Sequence, residues 1–339
     1  MLPDLAVRLG PVELKNPVVC ASGEWTGTAD GLRAAIDAGA AAAVAKSTNE
    51  SEAAKRQLAS AEYVLLDHEW RVLADGGAPR SASLFNRSGL VDERFDRWVE
   101  TLASADAYAR ERDAYVVASL VPAALEELVR MARDLERAGM RWLEVNLGAS
   151  HGEEAAPGAI ELARDPERVE EIVARVREAV SIPLTVKLPG QGDVVAMAGA
   201  AWAGGADSVC LAGRPLGFLP DVETRRPLLG TFGAVGGGWG LPLTLRWIAK
   251  ARRRFGEELP LLATGGIRSG LDAARALLAG ATAAQVGSAV WIEGFAALTR
   301  ALDELRAYLE RQGASARELV GEAADAVVSY EEAGVGRSA

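Results

Sequence analysis

The sequence predicts an α/β chain folded as a single (β/α)8 barrel, and three observations carry that prediction. From Asn16 onward, short Val/Ala/Leu runs alternate with amphipathic Glu/Arg/Ala/Leu segments, the strand-then-helix order of a parallel barrel. No Pro- or Ser-rich linker breaks the alternation, so the 339 residues are read as one domain, 1–339, ending in a surface helix and tail over about 313–339. Near the C-terminus, Leu261-Leu262-Ala263-Thr264-Gly265-Gly266 and Gln285-Val286-Gly287-Ser288 are spaced as consecutive strand ends, each an apolar run closed by glycine ahead of a helical pattern.

Taken in order, the strands are predicted at Pro17–Ala21, Ala42–Lys46, Ala114–Val121, Trp142–Leu147, Leu184–Leu188, Ser208–Ala212, Leu261–Thr264 and Ala283–Val286. Most are continuously apolar, as strands covered on both faces should be. The helices between and after them are predicted at Asp30–Ala38, Glu93–Arg110, Ala123–Ala138, Pro166–Val180, Asp193–Ala203, Leu243–Phe255, Gly270–Ala279 and Ala289–Gln312. Leu128, Met131 and Leu135, with charges between them, show the single buried stripe that a barrel helix presents inward. Two connections, Ser47–Asp92 after the second strand and Gly213–Pro242 after the sixth, far exceed the roughly 2–6 residues of an ordinary βα loop. Both leave the C-terminal face, so they are expected to form a lid or substrate wall there. The first contains Glu62-Tyr63-Val64-Leu65-Leu66, expected as a strand, and ends in Leu84-Phe85-Asn86-Arg87-Ser88-Gly89-Leu90.

Composition excludes several classes. Lys plus Arg is 37 against 47 Asp plus Glu, a net charge of −10, which argues against a nucleic-acid or anionic-membrane surface. Met1-Leu2-Pro3-Asp4-Leu5 lacks a basic and apolar leader and no stretch resembles a membrane span, so a cytoplasmic protein is expected. Cys20 and Cys210 each lie in an apolar run and read as buried reduced thiols, not a disulfide framework. His68 and His151 are the only histidines, and no metal site is expected.

The glycine pair points to a phosphate, because backbone N–H groups converge at the barrel mouth and Gly265 and Gly266 let the chain approach an anion closely. Ordinary βα turns also use glycine; the pair in this order is what favours the phosphate. Lys46 closes the second strand after Ala43-Val44-Ala45, and Lys187 closes the fifth after Leu184-Thr185-Val186. Lysines so placed direct their ammonium groups over a ligand, with a strand-end charge reaching water as the plainer alternative. Asn146, after Trp142-Leu143-Glu144-Val145, places an amide at the fourth strand end, where packing alone does not explain it.

Together these positions resemble the dihydroorotate dehydrogenase-like FMN barrels over most of the chain, from about Leu14 to Gly294. The matching pieces are Asn16-Pro17-Val18 with Ala21-Ser22-Gly23, Lys46-Ser47, Asn86 with Gly89-Leu90, and Glu144-Val145-Asn146-Leu147. Val186-Lys187-Leu188-Pro189, Gly237-Gly238, Thr264-Gly265-Gly266-Ile267 and Gln285-Val286-Gly287-Ser288 complete the series. The resemblance implies bound FMN, its phosphate held by Gly265, Gly266, Gly287 and Ser288, with Lys187 at the flavin pyrimidine edge and Lys46 close to the isoalloxazine. It places Ala21, Ser22, Gly23, Ser47, Gly237, Gly238 and Thr264 in the cofactor site and Asn86 and Asn146 on the substrate. It further implies oxidoreduction at a CH–CH bond, an electron donor or acceptor, and a homo-oligomer, expected as a homodimer.

The departures rewrite the substrate end. Where the family carries a Ser-Cys-Pro-Asn or Ser-Ser-Pro-Asn loop, this chain reads Gly148-Ala149-Ser150-His151, so Ala149 stands in place of the usual base and His151 in place of an amide. After the sixth strand the family's Asn-Thr is replaced around Ala212-Gly213-Arg214. These changes speak against dihydroorotate itself and for a small cyclic or unsaturated, anionic substrate. Ser150 or His151 would then transfer the proton, and Arg87 and Arg214, unless merely surface arginines, would serve as counter-charges. Two other readings stay open: a non-redox lyase or isomerase binding a phosphorylated ligand through the same glycines, and a catalytically silent flavin-binding subunit. With no cysteine-rich segment, any iron–sulfur relay would lie on another chain.

Overall fold

The computed structural model describes residues 3–58, 61–73, 77–148 and 165–335. An antiparallel hairpin, β1 (Val7–Leu9) and β2 (Val12–Leu14), precedes everything else. It turns at Gly10 (φ 58°), whose backbone approaches Asp207 O so closely that a Cβ would come within 2.6 Å of it. The hairpin therefore lies at the N-terminal end of the barrel, beside the residue that leads into the sixth barrel strand. Its alternating pattern, three residues a strand, is too short to register as an element in the sequence.

Eight parallel strands then close into a TIM barrel. They are β3 (Val18–Cys20), β4 (Ala42–Val44), β7 (Tyr115–Leu120), β8 (Leu143–Asn146), β9 (Leu184–Lys187), β10 (Ser208–Leu211), β15 (Leu261–Thr264) and β16 (Ala283–Val286), with β16 pairing back onto β3. All eight predicted strands are present, most of them a residue or two shorter than expected. The barrel strands are buried almost throughout, and their small residues, Ala42, Ala43, Ala263, Ala283 and Ala284 among them, let the surrounding helices close in.

Those helices include α1 (Ala29–Asp37), α3 (Phe95–Arg110), α4 (Leu125–Arg137), α5 (Pro166–Arg177), α6 (Val194–Ala203), α7 (Leu241–Phe255) and α8 (Gly270–Leu278). Their starts are written locally: Thr28, Asp165, Asp193 and Ser269 each accept from a backbone N–H in the first turn, and Pro166 follows its cap. The α4 stripe is as expected, with Leu128, Met131 and Leu135 buried. The helix expected over Ala289–Gln312 is instead two, α9 (Ser288–Glu293) and α10 (Ala296–Gln312), because Gly294 takes φ 72° and ends the first. The tail likewise holds two short helices, α11 (Glu322–Asp325) and α12 (Tyr330–Val335), where one was expected.

The two long connections prove to be one structure. The first carries α2 (Glu52–Leu58), β5 (Glu62–Leu66) and β6 (Ser83–Arg87). The second carries β11 (Leu216–Gly217), a small ribbon of β12 (Pro220–Asp221) with β13 (Arg226–Pro227), and β14 (Gly233–Gly236). Strand β14 pairs with β6, so a four-stranded antiparallel sheet, β11-β14-β6-β5, stands over the barrel mouth. Leu66, Phe85 and Leu229 form its own small core.

Candidate active site

Most of the predicted site residues within the described residues lie at strand ends, and the fold gathers those ends around one cleft. Its wall carries Ala21 and Ser22 after β3, Lys46 and Ser47 after β4, Asn146 of β8, Lys187 of β9 and Arg214 after β10. Thr264 closes β15 and leads into Gly265 and Gly266, Gly287 and Ser288 follow β16, and Gly237 comes from the antiparallel sheet side. A concave site with a few convergent polar groups is where such a fold places a ligand.

At the glycine end, the N–H groups of Gly265, Gly266, Gly287 and Ser288 donate to no other protein group among the described residues. Free amides on a cavity wall fit a phosphate. The glycines are needed for a different reason than close approach to an anion. Gly265 (φ 104°) and Gly266 (φ 80°) hold left-handed backbone, and a Cβ on Gly266 would collide with the Leu241 backbone at the start of α7. The segment is thus pressed against α7 on one side and open to the cleft on the other.

The cleft floor is a continuous polar chain. Lys187 Nζ donates to Gln285 Oε1 at 3.3 Å, and Gln285 Nε2 reaches Glu144 Oε2 at 3.5 Å. Glu144 Oε1 accepts from Ser119 Oγ at 2.9 Å, Ser119 shares a 2.8 Å hydrogen bond with Ser47, and Asn146 Nδ2 donates to Ser47 Oγ at 3.2 Å. Asn146 Oδ1 is held by the Gly148 N–H at 3.0 Å. Each inward polar side chain is thereby oriented by its neighbour, which fixes the wall's geometry before any ligand arrives.

At the other end, the buried Lys46 Nζ forms an ion pair with the partly exposed Glu24 Oε1 at 2.6 Å and donates to Ser88 Oγ at 2.7 Å. Burial pushes the Lys46 ammonium below its ordinary pKa while Glu24 pulls it back up. Arg214 is partly buried on the cleft wall, and desolvation lowers its pKa too, with the Glu24 charge opposing. Its Nη1 donates to Asn86 Oδ1 at 2.5 Å, and no carboxylate lies within ion-pair distance of it among the described residues.

Four expected residues stand off the wall. Gly23 starts the short turn Glu24–Thr26, and a Cβ there would strike the Trp25 ring. Gly238 lies against the Arg268 guanidinium. Asn86, on β6, is fully buried behind Arg214, its Nδ2 without a partner among the described residues, and Arg87 turns to Glu62 at 3.3 Å. Ala149, Ser150 and His151 lie outside the described residues. Sequence reasoning missed Trp25, Gln285 as a side chain, and Glu24. Trp25 lines the cleft and approaches Trp291 at 6.1 Å, and Trp291 stacks on Tyr63 of β5 at 4.1 Å. An acidic and an aromatic residue after the first strand gave no signal of their own, since their partners come from distant segments.

A parallel (β/α)8 barrel with unbonded glycine amides, inward lysines and an antiparallel cover sets a polar cleft at its C-terminal mouth, the face where barrels of this architecture bind their ligands. The family model for dihydroorotate dehydrogenase matches residues 72–309, and the chain belongs to that family. It is 31% identical over 328 residues to "Dihydroorotate dehydrogenase B (NAD(+)), catalytic subunit" of Geotalea daltonii, covering 94% of this chain and 98% of the relative. The protein of the same description from Pyrococcus furiosus is 29% identical over 320 residues, again 94% and 98%. A "Putative dihydroorotate dehydrogenase A (fumarate)" of Solibacter usitatus is 31% identical over 329 residues, covering 95% and 99%. The chain is thus a dihydroorotate dehydrogenase-like oxidoreductase.

Proposed function

We propose that this chain is an FMN-dependent oxidoreductase acting at a CH–CH bond of a small cyclic or unsaturated, anionic compound other than dihydroorotate. The observation that carries this is the meeting, on one cleft, of unbonded amides at Gly265, Gly266, Gly287 and Ser288 with Lys187, Lys46, Asn146 and Arg214. FMN, when bound, supplies the two-electron chemistry. The chain's residues bind and orient: the four amides take the phosphate, and Ala21, Ser22, Ser47, Gly237 and Thr264 line the body of the cofactor site. Gly23 and Gly238 shape that site through the turns they permit. Lys187, held by Gln285, provides positive charge where reduced flavin gathers negative charge.

Asn146 and Arg214 face the substrate, with Asn86 buttressing Arg214 and Arg87 at the rim. A half-buried guanidinium on the cleft wall with only a neutral partner keeps donors available for a ligand anion, which supports an anionic substrate. Ala149 lacks the hydroxyl or thiol of the family's base, so proton transfer falls to Ser150 or, with an imidazole suited to neutral pH, to His151. Relatives described as the catalytic subunit of an NAD(+) enzyme support electron exchange through a separate partner, and assembly as a homo-oligomer belongs to the same proposal.

The test is the visible spectrum of the purified protein, followed by an anaerobic ligand screen with dihydropyrimidines, enones and aromatic acids. A yellow protein that releases FMN on denaturation, is bleached by a reductant and is reoxidised by one of these compounds is the expected result. A colourless protein would return the site to a non-redox phosphate ligand. A flavin that bleaches but is reoxidised by no ligand would mark a silent subunit.

A further inference from the structure

Glu24 is a carboxylate placed among donors from two separate connections. Its Oε1 accepts from Lys46 Nζ at 2.6 Å beyond β4, and from Ser88 Oγ at 3.2 Å and the Gly89 N–H at 3.3 Å, both beyond β6. An ammonium has three N–H donors. Lys46 gives one to Glu24 and a second to Ser88 at 2.7 Å, which leaves the third for the cleft that Lys46 lines.

We propose that Glu24 is a positioning residue that fixes Lys46 as a charged hydrogen-bond donor pointing at the bound ligand, and so withdraws Lys46 from any role as proton acceptor or amine nucleophile. The inference rests on the reading of Lys46 as part of the flavin and substrate site.

Among the described residues, the groups facing Lys46 are few and can be named. Glu24 approaches from the turn after β3, Ser88 from the segment after β6 with the Tyr63 hydroxyl 3.3 Å behind it on β5, and Arg214 from the segment after β10. Burial and the Arg214 charge both favour the neutral amine, and Glu24 is the group that opposes them. A buried lysine without such a partner loses its proton readily and becomes a base or nucleophile. The direct pair with Glu24 prevents this, while Ser88, as a neutral acceptor, fixes only direction.

Competitive acetylation with acetic anhydride across pH, read on the Lys46 peptide by mass spectrometry, tests this on the full chain, because only the neutral amine reacts. Glu24→Gln is expected to lower the apparent pKa of Lys46 by about one unit or more, and Glu24→Asp to bring it back toward wild type. Ser88→Ala, which removes a neutral contact, should leave it near the wild-type value. A Glu24→Gln protein whose Lys46 titrates as in wild type would overturn the proposal, as would Ser88→Ala shifting Lys46 as far as Glu24→Gln. Should Glu24→Gln fail to fold, Glu24→Ala takes its place, with the same downward shift of the Lys46 pKa expected and an unshifted Lys46 overturning the proposal. The labelling needs no bound flavin, so a colourless protein would sink the proposed function and still leave the state of Lys46 measurable.

Discussion

Lys187 has Gln285 as its hydrogen-bond partner among the described residues, so its positive charge is left for whatever occupies the cleft. Lys187→Ala is therefore expected to lower the midpoint potential of the bound flavin by tens of millivolts, at about 30 mV per 1.4 kcal/mol for a two-electron couple. Potentiometric titration with a reference dye measures it, and an unchanged potential would place Lys187 away from the flavin edge. Gly266 has a double constraint, φ 80° and the Leu241 nitrogen crowding the place a side chain would take, so Gly266→Val must shift the glycine segment off α7. The flavin-to-protein ratio after gel filtration should fall at least several-fold, and full occupancy would remove this segment from the phosphate site. The two thiols give a pH prediction. Burial raises Cys20 from 9.0 to about 12 and raises Cys210 in the same direction. The unfolded thiols ionise near 9.0 while the folded ones stay neutral, so their contribution to stability is present below that pH and is lost as pH climbs through it toward the folded values. Native protein should resist a thiol reagent at about pH 8, denatured protein should titrate both cysteines, and stability should decline above about pH 9.

Among the elements, the antiparallel sheet lends Leu84 and Gly236 to the cleft wall, and Phe85 is its centre, buried against Leu66 and Leu229. Phe85→Ala should cost about 3–5 kcal/mol where the cavity cannot collapse, and the loss should be local. Hydrogen exchange is expected to show β5, β6 and β14 amides exchanging faster while the barrel strands keep their protection. Uniform loss across the barrel would mean the sheet and barrel unfold as one unit. The sequence disclosed this sheet only in part. Glu62–Leu66 has a strand's composition, but β11 and β14 are short and glycine-bearing, and pairing between residues such as Asn86 and Ala234 is a long-range fact no local pattern encodes. The break between α9 and α10 was hidden for the opposite reason: the apolar pattern continues across it, and only the conformation of Gly294 separates the two helices.

For the whole molecule, the barrel was legible because strands buried on both faces read as largely apolar runs, while helices such as α4 show one stripe. Site residues at strand ends, such as Lys46, Asn146, Lys187 and Gly265, were legible for the same reason, since a polar residue closing an apolar run has to face the mouth. Glu24, Gln285 and Trp25 were not, because their meaning comes from partners such as Lys46, Lys187 and Trp291 that lie on other elements. The chain belongs to the dihydroorotate dehydrogenase family, and the proposal that its substrate differs rests on Ala149 and His151 in the sequence and on Arg214 at the cleft wall. The central claim, flavin chemistry on a compound other than dihydroorotate, is tested most directly by anaerobic stopped-flow absorbance of the purified protein mixed with dihydroorotate, with dithionite as the reference reductant. The oxidised flavin band is predicted to be bleached by dithionite and to persist with dihydroorotate. Bleaching by dihydroorotate at an ordinary enzymatic rate, roughly 1–10³ s⁻¹, would contradict the account.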